Sequence, residues 1–73
     1  MDRAEHLQWC KDRARKEYEF SGDLNDAFAS MMSDLRKHDE LENHVGISLG
    51  MAMNMSGHLS TETEMFKWIN GFN

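Results

Sequence analysis

The sequence predicts an all-α domain, a small bundle of three to four helices, and three observations carry that prediction. Proline is absent from the 73 residues. Helix-favouring methionine, alanine, leucine, glutamate and lysine dominate, while valine, isoleucine and threonine are scarce. Apolar residues also recur at three- and four-residue spacing between polar breaks.

The elements follow in order. A first helix is expected from about Asp2 to Phe20, with Leu7, Cys10, Ala14 and Tyr18 on one face, and Ser21-Gly22 ends it. Asp23 is a natural N-cap for the second, in which Leu24, Ala27, Phe28, Met31, Met32 and Leu35 form one apolar stripe. A polar connection through Lys37, His38, Asp39 and Glu40 follows. From Val45 to Met55 the alternation of Val45, Ile47, Leu49, Met51, Met53 and Met55 imitates a strand. Methionine and glycine are poor strand residues, so a helix is expected, apolar nearly all round and central among the others. In that helix Gly46, Gly50 and Asn54 stack on a shallow face, suited to close approach by a second copy of the chain or by the first helix. Gly57-His58 ends it, and Thr61 with Glu64 opens the last helix as a capping box. Met65, Phe66, Trp68 and Ile69 give that helix its apolar surface. Gly71 is expected to close it in the left-handed conformation, with Phe72 folding back toward Phe66 or Lys67. The expected core is Leu7, Ala14, Tyr18, Leu24, Phe28, Met31, Leu35, Ile47, Met51, Phe66 and Ile69.

Residues 1–73 have room for one domain, whose core supplies roughly 3–5 kcal/mol of net stability. Cys10 is the only cysteine, so no disulfide forms within the chain. A lone thiol, with no leader-like segment and no apolar run of membrane-spanning length, leads to the expectation of a reducing, cytoplasmic setting and no membrane partner. A core this small gains from self-association, and a homodimer through Gly46, Gly50 and Asn54 is expected.

Net charge is −5, unevenly spread: residues 1–16 carry five basic and three acidic side chains, the remainder three and ten. Direct binding to nucleic acid by charge is therefore not expected. Two binding readings stay open. In one, Trp9, Arg13, Lys16 and Phe20 align at i, i+4, i+7 and i+11 on the back of the first helix as aromatic and basic anchors for a protein partner; alternatively the last helix covers this face. In the other, Glu17, Glu19, Asp23, Asp26, Asp34, Glu40 and Glu42 imitate nucleic acid before a basic groove.

Enzymatic chemistry has thin support. His6 and Cys10 share a helix face four residues apart, and His38, His44 and His58 are available to complete a zinc shell, but no CxxC or HxxxH spacing accompanies them. Cys10 as a nucleophile conflicts with its place on the buried stripe. The paired carboxylates read as solvated faces and caps, and no phosphate loop or nucleophile elbow is present. The expectation is a non-enzyme without cofactor or metal.

Three strings, His6-Leu7-Gln8-Trp9-Cys10-Lys11-Asp12-Arg13-Ala14, Ala29-Ser30-Met31-Met32-Ser33-Asp34-Leu35-Arg36-Lys37-His38 and Ser56-Gly57-His58-Leu59-Ser60-Thr61, resemble a group of short bacteriophage proteins, mostly without assigned function. The resemblance spans nearly the whole chain. It departs at Asp39, where such proteins often carry proline, and at Met51 to Met55, where their apolar segment is simpler. It implies a phage-encoded helical protein. By class analogy, such a protein is a stoichiometric effector that docks on a host complex of transcription, replication or defence.

Overall fold

Each helix starts where a side chain caps it. Asp2, Asp23, His44 and Thr61 accept from the backbone amides of Glu5, Asn25, Gly46 and Glu64 respectively, in a computed structural model that describes residues 2–73. Among the described residues there are four helices and no strand: α1 (Arg3–Ser21), α2 (Leu24–Leu35), α3 (Val45–Met55) and α4 (Glu62–Asn70). The all-helical class holds, and α3 is a helix despite its alternation. Thr61 and Glu64 form the capping box, with Glu64 N donating to Thr61 Oγ1 over 3.1 Å and the hydroxyl donating to Glu64 Oε1 over 3.0 Å. Such caps contribute about 1 kcal/mol each.

Gly22 (φ 72°) and Gly57 (φ 77°) take the left-handed conformation that ends α1 and turns the chain after α3. Gly22 and Asp23 alone separate α1 from α2, which makes the two an antiparallel hairpin and the most extensively packed pair in the molecule; α2 also packs on α4. Leu7, Cys10 and Ala14 of α1 meet Ala27, Met31 and Leu35 of α2 in a core completed by Leu41, Leu59, Met65 and Ile69. Ile47 is buried, and Tyr18, Leu24, Phe28 and Phe66 pack half-buried against the core.

The structure corrects four expectations. Met51 is exposed rather than in the core, and α3 is peripheral rather than central. Val45, Leu49, Met51 and Met55 of α3 are all exposed, so no element of the described residues covers that side of the helix. Gly71 is right-handed (φ −76°), its N–H donating to the Lys67 and Trp68 carbonyls as a continuation of the helical turn. Phe72 therefore turns toward α3 and not back over Phe66 or Lys67: its ring lies 4.9 Å from His44 and 5.2 Å from Trp68.

Candidate docking surfaces

The four residues of the α1 stripe meet different fates. Trp9 is half-buried and packs against the core, with its ring 5.2 Å from that of His6. The Arg13 guanidinium lies 5.1 Å and the Lys37 ammonium 5.6 Å from the Trp9 ring centre, both within cation–π range. Both cations are held by Asp34 of α2: Arg13 Nε is 3.0 Å from one carboxylate oxygen and Lys37 Nζ 3.1 Å from the other. Asp34 is itself 1% exposed, and its backbone carbonyl accepts from His6 Nε2 over 2.7 Å. Trp9 and Arg13 thus come together in a cluster that ties α1 to α2. Lys16 and Phe20 continue the same helix face into solvent, and Phe20 is 92% exposed.

Asp34 was expected on an acidic surface and is instead the buried centre of this cluster. Its position seven residues after Ala27, on the edge of the α2 apolar stripe, is the signal that foretells burial. Glu17 and Glu19 are two residues apart on α1 and so point to nearly opposite sides, while Asp23 is engaged as the α2 cap.

The shallow face of α3 is filled from within the chain. The Trp68 indole lies on Gly50, where a Cβ would overlap Cζ2, Cε2 and Nε1 of the ring. A Cβ on Gly46 would stand 2.6 Å from the Phe72 ring. Trp68 Nε1 donates to the Gly46 carbonyl over 3.0 Å. The close approach that Gly46 and Gly50 permit is therefore made by Trp68 of α4 and by Phe72, two residues beyond its end. Asn54, the third member of that row, is exposed beside a small cleft lined by Leu24, Asn25 and Leu59.

The outward side of α3 is a surface that residue-by-residue reading passed over. Val45, Leu49, Met51 and Met55 are exposed there, and the helix carries no charged residue. The available signal was eleven uncharged residues in a chain that is 29% charged. Beside this face an open groove of about 560 Å³ runs between α3 and α4, with Leu49, Met53, Trp68 and Phe72 in its lining.

Of the residues weighed for zinc or thiol chemistry, only His6 and His38 have their rings close together, 5.2 Å apart. His6 turns to the Asp34 carbonyl, His44 caps α3, and His58 is exposed in the turn after it. No group of three or more ligating side chains able to hold a metal ion occurs among the described residues. Cys10 is fully buried; burial first, and the negative charge of Asp34 second, push its thiol up to about 11. No helix of the described residues is long and apolar enough to cross a membrane. No protein-family model, curated protein or solved structure matches the chain.

Proposed function

We propose that this chain is a protein-binding module that docks on a partner through the outer stripe of α1, with Phe20 as the anchor, Lys16 and Arg13 as its basic flank and the open edge of Trp9 at the far end. The observation that carries the reading is the 92% exposure of Phe20 one turn from exposed Lys16. Burying a phenyl ring is worth roughly 1.5–3 kcal/mol, and this fold leaves that gain unused. A basic flank on an acidic chain steers the module toward an acidic patch, where the ring then supplies the desolvated contact. The resemblance to short bacteriophage proteins supports a host protein complex as the partner and a stoichiometric mode of action.

Of the two aromatic residues in the stripe, Phe20 rather than Trp9 is the proposed anchor because Trp9 is already engaged with His6, Arg13 and Lys37. The test is affinity capture from host extract with wild-type and Phe20→Ala baits, followed by titration of the captured protein. The reading expects one protein retained by the wild type and lost with Phe20→Ala and Lys16→Glu, with only moderate sensitivity to salt. Equal retention by all three baits rejects it. A steep loss of affinity with salt, unchanged by Phe20→Ala, would instead favour an acidic decoy.

A further inference from the structure

We infer that the outward face of α3 is a self-association surface, on which a second copy of this chain docks α3 against α3 about a two-fold axis. Two-fold pairing sets residues at the axis against their own counterparts and every other residue i against j and j against i within the same patch, so a patch of one charge sign repels itself while an uncharged one does not. Of the four helices among the described residues, only α3 carries no charged side chain. In a chain of net charge −5, it is where two copies can meet without opposing like charges.

The shape of the face supports the same occupant. On a helix, Val45, Ser48, Leu49 and Ala52 fall together, so two small residues lie between larger apolar ones and allow close approach of an identical helix. Val45, Leu49, Met51 and Met55 are 77%, 56%, 46% and 86% exposed. The exposed surface of these four, with Ala52 and the groove side of Met53, comes to roughly 600 Å² per copy, so a contact covering all of it would reach the ~1,200 Å² lower bound of stable association. The groove between α3 and α4 gives protruding side chains of the second copy an apolar seat. Its rim carries both Lys67 and Glu64, which offset one another in sign. An anionic lipid surface is a poorer occupant, because α3 presents no basic side chain to its headgroups.

The α1 stripe contributes nothing to this face, so either assignment can fail alone. The test is sedimentation equilibrium on the full chain from micromolar to millimolar concentration, with circular dichroism confirming helix content throughout. The wild type is expected to approach twice the 8.5 kDa chain mass. Leu49→Glu and Leu49→Lys, each adding a self-repelling charge near the axis, are expected to weaken the dimer at least about tenfold, the effect of 1.4 kcal/mol. An equimolar mixture of the two is expected to restore it, because opposite charges then face each other. Met55→Glu, at the most exposed of the four positions, serves as the second variant if a Leu49 substitution lowers helix content. A wild-type chain that stays monomeric at millimolar concentration overturns the inference and leaves the face to a different protein. A dimer that persists unchanged in the folded variants overturns it equally.

Discussion

The indole of Trp68 rests on the bare backbone of Gly50 and donates from Nε1 to the carbonyl of Gly46, one helical turn earlier. Two glycines four residues apart on α3 thus receive two rings, Trp68 on Gly50 and Phe72 on Gly46. These contacts seat α3 on the bundle, because the most extensive helix packing lies elsewhere, between α1 and α2. They also explain the presence of glycines in a helix interior, where each costs about 1 kcal/mol relative to alanine.

Gly50→Ala is accordingly expected to destabilise the fold despite the better helix propensity of alanine. The new methyl group collides with the indole ring itself and not with the end of a flexible chain, and overpacking of this kind costs roughly 1–3 kcal/mol. Urea denaturation should show a lower midpoint. In a Trp68→Leu background the same change should cost less or become favourable, since the clashing ring is gone; such coupling is the signature of direct contact. Gly50→Leu, which would probe a dimer if this face were open, should instead disrupt the seating of α3.

A second expectation concerns Asp34, which is 1% exposed while the side chains of Arg13 and Lys37 are 44% and 54% exposed. Removing either cation leaves the other to balance the carboxylate, so Arg13→Ala and Lys37→Ala should each cost about 1 kcal/mol or less. Removing both leaves a buried charge without compensation and should cost about 3 kcal/mol or more. A double-mutant cycle by chemical denaturation checks the excess over additivity.

The legible parts of this fold were those written in local chemistry. Asp23, Gly22 and the pairing of Thr61 with Glu64 mark helix ends through side chains and backbone only a few residues apart, and these boundaries were readable. The stripe from Leu24 to Leu35 was readable for the same reason. Long-range choices were less accessible. Leu41 sits in a polar connection yet is fully buried, because it joins the same core cluster as the helices it connects. Met51 and Met55 have the residue type of a core but no element left to cover them. On α1, spacing sets Trp9, Arg13, Lys16 and Phe20 on one side, but only tertiary packing decides that Arg13 pairs with Asp34 while Phe20 stays free in solvent.

The buried thiol leads to a pH prediction. The Cys10 thiol is raised from an ordinary 9.0 to about 11, so the folded state holds its proton more tightly than the unfolded state does. The resulting stabilisation is complete below pH 9 and is lost as pH rises through about 11. Cys10→Ala should flatten this part of the stability–pH curve, measured by urea titration at successive pH values. In the native wild type at pH 8, labelling of Cys10 by a thiol reagent should be far slower than in denaturant, because access and thiolate fraction are both suppressed.

The last prediction separates the two aromatic residues of the α1 stripe. Trp9 packs against the core with its ring tilted against that of His6, so Trp9→Ala removes buried ring surface and should cost about 2 kcal/mol of folding stability, below the 3–5 kcal/mol of a fully buried aromatic. Phe20 is 92% exposed, so Phe20→Ala should change stability by no more than about 0.5 kcal/mol, as is usual for surface positions. Binding of the captured partner should show the opposite order, with Phe20→Ala losing at least about 2 kcal/mol if the ring fills a pocket. Thermal denaturation and partner titration on the same two variants supply both readouts. A Phe20→Ala variant that folds normally and binds unchanged would remove the ring from the interface, whereas a Trp9→Ala variant of undiminished stability would contradict the cluster that joins α1 to α2.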